Sequence, residues 1–152
     1  MLRTIAFIAA AYVVYRLAKK GYDMTDDQTD YMARTIYGEA RGEGARGMQA
    51  VGNVIMNRVK AGSWYGASIK DVCLKPYQFS CWNANDPNRE KILKATPAQL
   101  QQARTIAEKV ISGELSDITG GATHYYADSI AAPYWTASMR QTTTIGHHKF
   151  YV

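Results

Sequence analysis

The sequence has little cysteine and lacks the short motifs of several common catalytic classes. Its two cysteines are too few for a disulfide framework, and their spacing matches no CxxC zinc pair. It contains no GxSxG elbow for a serine nucleophile and no Walker-type phosphate loop. The histidines His124, His147 and His148 suggest no zinc set with these cysteines. We therefore expect no metal and no cofactor.

The composition is that of one packed domain. The chain has 152 residues, of which 47% are apolar and 20% are charged, with no internal repeat and no low-complexity segment. This length and apolar content suffice for a single hydrophobic core. Intrinsic disorder and a collagen-like repeat are excluded.

The positive charge is concentrated at the N-terminus. The formal net charge is +5, and residues 1–24 carry +3 of it, which leaves only +2 on the other 128 residues. A nucleic-acid interface needs a basic stripe, and the body of the chain offers none. We therefore separate an N-terminal segment, residues 1–24, from a domain at residues 25–152, and expect no nucleic-acid partner.

The N-terminal segment contains the longest apolar run. Ile5 to Tyr15 is uninterrupted, and Leu2 to Ala18 reaches 17 residues by including Arg3 and Arg16. A membrane span needs about 20 apolar residues, and no small-residue cleavage site follows the run. The segment is interpreted as an uncleaved export or anchor helix that contacts the inner membrane through residues 2–18. A helix packed on the domain or on a partner is the alternative.

Three amphipathic helices are predicted in the domain. Each begins at a capping signal or after a glycine-rich break and ends at a glycine. They start near Thr25, Arg46 and Pro97 and end before Gly42, Gly62 and Gly113.

Two regions lack helical periodicity. Residues 63–95 form a long irregular stretch, and a structureless loop of that length usually marks a binding surface. The tail from Gly120 is rich in aromatics and threonine and predicts short strands, turns and a short helix. Cys73 and Cys81 lie in the irregular stretch around Pro76. Their spacing allows either a disulfide or two buried thiols.

Glu39 is the strongest candidate for a catalytic group. It lies beside the apolar face of the first helix, just before a glycine-rich break. A carboxyl at an apolar edge holds its proton more tightly, as a general acid requires. Glu43, one turn later, is a candidate second carboxylate. The alternative is that both glutamates pair with nearby arginines on a solvated helix.

Aromatic and amide side chains suggest a sugar-binding groove. Sugar rings have apolar faces and polar edges, which suit tryptophan and tyrosine beside amides. The chain has eleven tyrosines and three tryptophans. Some of these rings will instead belong to the core. The pair His147-His148 is more typical of an exposed strand end than of a metal site.

Four sequence blocks carry a specific resemblance. IYGEARGEGARGMQAVGNVIMNRV, YQFSCWN, GATHYYA and IGHHKFY occur in this order within residues 28–152. They resemble the cell wall hydrolase family named for the spore-cortex-lytic enzyme SleB. The resemblance implies an α+β fold: a mainly helical, lysozyme-like domain of the lytic transglycosylase kind with a small β element. It also implies cleavage of peptidoglycan glycan strands between N-acetylmuramic acid and N-acetylglucosamine.

The resemblance assigns roles to particular residues. Glu39 matches the general acid of the family. The expected substrate-binding residues, in or beside the matching blocks, are Gln78, Ser80, Trp82, Tyr125 and Tyr126.

The route of the reaction depends on a second carboxylate. A retaining or inverting hydrolase needs one, and Glu43, Asp86 and Asp128 are the candidates. Without it, the sugar's own 6-hydroxyl closes on the anomeric carbon and gives a 1,6-anhydro product. We expect this lytic transglycosylase route, with a hydrolytic muramidase as the alternative.

The biological setting has a leading interpretation and three alternatives. A small domain with a basic apolar head suggests a monomeric phage endolysin exported to the periplasm or cell wall. A bacterial wall-remodelling enzyme, a virion-associated lytic domain and a peptidoglycan-binding protein without turnover are the alternatives.

Overall fold

The structure is a computed structural model that describes residues 26–152. The predicted apolar helix at residues 2–18, its membrane contact and Thr25 of the predicted cap lie outside the described residues. The helices are α1 (residues 26–40), α2 (Gly44–Ala61), α3 (Ile69–Leu74), α4 (Pro87–Lys94) and α5 (Pro97–Ser112). Three short 3₁₀ helices cover Ser63–Tyr65, Ser80–Trp82 and Tyr134–Ser138. The strands are β1 (His124–Ala127), β2 (Gln141–Ile145) and β3 (His148–Tyr151).

Helix α2 lies at the centre of the domain because two of its faces are apolar. Met48, Val51 and Ile55 pack into the larger core, to which α1, α3, α4 and α5 also contribute. Ala50 and Val54, on another face, pack against the sheet with Phe150 and Ile145. A helix with apolar residues on two faces is buried between two layers.

The three predicted helices are confirmed. Helix α1 buries Met32, Ile36 and Ala40, as its spacing predicts. Helix α5 begins at a complete capping box, in which Thr96 and Gln99 bond reciprocally, and it ends at a left-handed Gly113.

The prediction of an irregular stretch over residues 63–95 is wrong in part, because α3 and α4 lie within it. Both helices begin at a side-chain cap, since Ser68 accepts from the amide of Asp71 and Asp86 from that of Asn88. They are only 6 and 8 residues long, and α4 buries one residue, Ile92. So short an apolar pattern gives no detectable helical period.

The sheet is antiparallel with strand order β1-β3-β2. Tyr125 pairs with Phe150 and Ala127 with His148, so these side chains share the inner face toward α2. Tyr126 and Tyr151 point to the outer face, where both rings pack against Trp135. The sheet therefore separates an inner aromatic layer from an outer one.

This mainly helical α+β architecture with a small sheet confirms the expected fold class. Among residues 26–152, no helix has the length and apolar content that crossing a membrane requires.

Candidate active site

Glu39 lies in the last turn of α1 and is half-buried. Its Oε1 accepts a hydrogen bond from the backbone N–H of Cys81 at 3.2 Å. Its Oε2 accepts one from the hydroxyl of Tyr125 at 3.0 Å. Groups far apart in sequence thus fix both carboxyl oxygens, each of which keeps a further lone-pair position for a proton or a substrate.

The 3₁₀ helix Ser80–Trp82 presents the Cys81 amide to Glu39. The indole of Trp82 donates to the hydroxyl of Thr35 at 2.9 Å, which ties this short helix to α1. Gly38 makes the close approach feasible, since a Cβ there would lie 2.7 Å from the Cβ of Cys81. The residue before the candidate acid must therefore be glycine.

Tyr125 is held by the inner face of the sheet. Its ring centroid lies 5.1 Å from that of His148 and 5.5 Å from that of Phe150. Burial raises the pKa of Tyr125 well above its ordinary value, and the neighbouring Glu39 raises this pKa further. The phenol therefore stays protonated and donates to Glu39 at physiological pH.

Glu39 opens onto a shallow depression of about 310 Å³. Its lining includes Arg41, Glu43, Asn88 and His148. Arg41 donates to the side-chain oxygen of Asn88 at 2.8 Å, which closes one side. The depression leaves the carboxyl of Glu39 accessible to a substrate from solvent.

Glu43 lines the same depression but has a partner of its own. Its Oε2 accepts from the backbone N–H of His147 at 3.1 Å, in the turn between β2 and β3. Asp86 caps α4, and Asp128 lies 3.6 Å from the imidazole of His147. Of the three candidate second carboxylates, Glu43 is the one that shares the depression with Glu39.

A family model described as Cell Wall Hydrolase matches residues 42–151 of this chain. The chain belongs to the cell wall hydrolase family. The spore cortex-lytic enzyme of Halalkalibacterium halodurans is 31% identical to it over 126 residues, which are 83% of this chain and 35% of that protein. The spore cortex-lytic enzyme of Bacillus cereus is 32% identical over 130 residues, which are 86% of this chain and 45% of that protein. The chain thus spans less than half the length of these relatives.

Two solved structures have the same fold. The catalytic domain of the Bacillus cereus SleB protein superposes with a TM-score of 0.69 at 28% identity, covering 84% of this chain and 91% of that one. The catalytic domain of the germination-specific lytic transglycosylase SleB from Bacillus anthracis gives a TM-score of 0.67 at 29% identity, covering 82% and 93%. The resemblance proposed from the four sequence blocks is confirmed.

The other predicted substrate-binding residues of this family member are spread over two places. Trp82 lines a groove of about 410 Å³ together with Tyr77 and Asn83, beside the segment that carries Gln78 and the exposed Ser80. Tyr126 lies on the outer face of the sheet, with its ring centroid 6.0 Å from that of Trp135. The structure brings Tyr125 to Glu39 and places Tyr126 on the opposite face.

Cys73 and Cys81 are free thiols, and both are buried. No disulfide joins them in this structure. Of the two arrangements that their spacing allows, the structure has the two buried thiols. Burial raises the pKa of Cys73 to about 12 and raises that of Cys81 as well, so both stay protonated at neutral pH. Within residues 26–152, no group of three His, Cys, Asp or Glu side chains could hold a metal ion.

Sequence reasoning missed the place of His148 in the lining of the depression and the burial of Arg58. His148 was expected at an exposed strand end, but its side chain is 8% exposed because it faces Tyr125 on the inner side of the sheet. Arg58 is 5% exposed, lies seven residues after Val51 on α2 and packs its guanidinium on the rings of Phe79 and Tyr65. The signal available for the burial of Arg58 was its spacing in α2, four residues after the buried Val54.

Proposed function

We propose that this cell wall hydrolase cleaves the peptidoglycan glycan strand between N-acetylmuramic acid and N-acetylglucosamine, with Glu39 as the general acid. The observation that carries the proposal is the Glu39 carboxyl, held by Tyr125 and the Cys81 amide at the edge of an open depression. Family membership supports the substrate class.

In the first step, protonated Glu39 donates its proton to the glycosidic oxygen. The bond from that oxygen to the anomeric carbon of muramic acid breaks, and an oxocarbenium-like centre forms. The hydrogen bonds from Tyr125 and from the Cys81 amide stabilise the carboxylate that remains.

In the second step, the Glu39 carboxylate removes the proton of the 6-hydroxyl of the same sugar. The freed oxygen bonds to the anomeric carbon, which yields a 1,6-anhydro product and returns Glu39 to its acid form. No water is consumed. The bond between Glu43 and His147 supports this lytic transglycosylase route, because it engages one oxygen of the second carboxylate in the depression.

A hydrolytic muramidase is the second candidate. Glu43 shares the depression with Glu39, so it is the group that would activate a water or attack the sugar. The two routes differ in product mass by one water. Mass spectrometry of the muropeptides released from purified peptidoglycan distinguishes them, and products without the anhydro ring would reject the transglycosylase route.

The setting that we favour is a phage endolysin exported to the periplasm or cell wall, with residues 2–18 as a membrane contact. Bacterial wall remodelling and a virion-associated role are the alternatives. Fractionation of producing cells, with and without residues 1–20, tests the export. A full-length protein found entirely in the cytosol would contradict it.

The test of the catalytic assignment compares Glu39→Gln with Glu90→Gln. Glu90 is an exposed residue paired with Lys94 on α4, so its substitution is a matched change outside the depression. We expect Glu39→Gln to release no soluble muropeptide and Glu90→Gln to match the wild type. Equal release by wild type and Glu39→Gln would remove Glu39 as the acid. Pelleting with peptidoglycan without any release by wild type would favour a binding protein.

A further inference from the structure

His148 is a polar residue on the buried inner face of the sheet. It is the first residue of β3 and lies two positions before the buried Phe150, so both side chains point to this face. The residue is 8% exposed, and it lines the depression onto which Glu39 opens. An imidazole that is more than nine-tenths buried therefore shares the depression with the candidate acid.

Two aromatic contacts fix the orientation of this imidazole. Its ring centroid lies 5.1 Å from that of Tyr125 at an interplanar angle of 69°, and 6.4 Å from that of Phe150 at 83°. Edge-to-face contacts of this kind are favourable and depend on the angle between the rings. The imidazole cannot turn without losing both contacts, so its two nitrogens have defined positions.

The two nitrogens of His148 differ in their surroundings. Nδ1 is buried and has no hydrogen-bond partner within residues 26–152. Nε2 has no partner there either, but it is not fully buried, so it is the nitrogen that a ligand in the depression can reach. A buried N–H without an acceptor is rare in native proteins, so we assign the ring proton to Nε2. The depression then contains an unpaired N–H donor.

The fold alone gives a poor reason for a histidine at this position. An apolar side chain would pack against Tyr125 and Phe150 without burying an unpaired nitrogen, which costs free energy. A buried polar atom without a partner needs an explanation in a native structure. The second nitrogen of the same ring, which is open to the depression, supplies one.

Other polar side chains around the depression already have partners. Glu43 accepts from the backbone amide of His147, and Arg41 donates to the side-chain oxygen of Asn88. The Nε2 donor of His148 has no such partner in the described part of the chain. A glycan strand has hydroxyl and acetamido oxygens on both sides of each glycosidic bond, and these oxygens accept hydrogen bonds from such a donor.

We infer that His148 is a substrate-binding residue of this site, whose Nε2 donates a hydrogen bond to an oxygen of the sugar that lies against Glu39. It holds the sugar in position for the acid. The inference rests on the proposed function, in which the glycan strand is cleaved in this depression. It predicts that affinity for the glycan depends on a donor at position 148, and that the stability of the fold does not.

The experiment compares His148→Gln with His148→Met. The two new side chains have similar length, and glutamine has an amide N–H that can take the place of Nε2, whereas methionine has no N–H donor. His147→Met is the matched control at the preceding residue. The side chain of His147 is 76% exposed, lies 3.6 Å from Asp128 and does not line the depression.

Binding is measured by calorimetry with soluble glycan strands from which the peptides have been removed. Every protein is the full chain and carries Glu39→Gln, which stops turnover during the titration. We expect His148→Gln to bind within about threefold of the protein that keeps His148, and His148→Met to bind about tenfold more weakly. His147→Met should bind within about twofold. In urea, His148→Met should be at least as stable as His148→Gln, because it buries no unpaired polar atom.

Equal affinity of the glutamine and methionine variants would overturn the inference, because the donor would then contribute nothing to binding. A methionine variant that is less stable than the glutamine variant would also overturn it, since the donor would then serve the fold. Absence of binding by every protein, including the one that keeps His148, would do the same. Failure of the proposed function is a separate outcome, in which wild type releases no muropeptide although the strands bind.

Discussion

At the residue scale, the site depends on how one carboxyl is held. Glu39 accepts hydrogen bonds from a backbone amide and from a phenol, and these two donors fix the orientation of its carboxyl group. The backbone amide of Cys81 cannot be removed by a simple substitution, whereas the hydroxyl of Tyr125 can. The contribution of the second donor is therefore directly measurable.

Tyr125→Phe removes this hydroxyl and keeps the ring packed on His148 and Phe150. We expect kcat to fall by about tenfold to a hundredfold, because a hydrogen bond to the carboxylate that forms during the reaction is lost. Tyr134→Phe, at a tyrosine that is 92% exposed at the start of the 3₁₀ helix Tyr134–Ser138, is the control and should stay within about twofold of wild type. Unchanged turnover in Tyr125→Phe would show that the phenol does not assist Glu39.

Gly38→Ala tests the close contact beside the acid. The added Cβ would lie 2.7 Å from the Cβ of Cys81 and 2.9 Å from Cγ2 of Ile92, and both are core side chains. We expect a loss of about 1–3 kcal/mol in the free energy of unfolding by urea, together with reduced muropeptide release. Gly42→Ala is the control, since its Cβ would meet nothing within 4 Å. Equal stability of the two variants would contradict the contact.

At the element scale, the domain is assembled by short connections between its helical part and its sheet. Glu43, in the break between α1 and α2, accepts from the amide of His147 in the turn between β2 and β3. A Cβ on Gly146, which has a φ of 57°, would meet the carboxylate of Glu43. Glycine at this position therefore allows both the positive φ of the turn and the close contact with the Glu43 carboxylate.

Substitutions at Glu43 distinguish this connection from a catalytic carboxylate. Glu43→Gln keeps an oxygen that can accept from the His147 amide, whereas Glu43→Ala does not. If Glu43 only joins the helical part to the sheet, we expect the glutamine variant to release muropeptides at nearly the wild-type rate. We expect the alanine variant to lose about 1 kcal/mol in the free energy of unfolding. Release by Glu43→Gln as low as by Glu39→Gln would instead support the hydrolytic route.

At the scale of the whole molecule, several buried groups lose protons at higher pH in the folded chain than in the unfolded one. Burial raises the pKa of Cys73 from its ordinary 9.0 to about 12, and the pKa values of Cys81 and Tyr125 are also raised. Such groups favour folding fully below their unfolded pKa values. Their contribution is lost as the pH rises from about 9 toward 12.

We therefore expect stability to fall steeply between pH 9 and 11, and Cys73→Ala to reduce the slope. In urea unfolding with a reductant present, Cys73 should account for about 2 kcal/mol of the wild-type loss by pH 11. The cavity left by alanine lowers stability equally at every pH, so the comparison uses slopes. Parallel curves for wild type and Cys73→Ala would contradict the burial of this thiol.

The sequence by itself determined the parts that depend on local pattern. Met32, Ile36 and Ala40 predicted the buried face of α1, and Thr96 with Gln99 predicted the start of α5, because caps and helical periodicity are local properties. The prominence of Glu39 followed from its near neighbours in the chain, and the likeness to cell wall hydrolases followed from four short blocks read in order along it. In α3 and α4 the pattern was too short for its period to be detected.

Only the tertiary structure decided which distant groups meet. Tyr125 lies 86 residues from Glu39 in sequence, and it contacts Glu39 while Tyr126 does not, because alternate side chains of a strand point to opposite faces. Packing against Ala50 and Val54 determined which of these two tyrosines points toward the helices. Tertiary packing also buried His148 and Arg58. Contacts of this kind depend on three-dimensional assembly, which a single sequence does not encode in any local pattern.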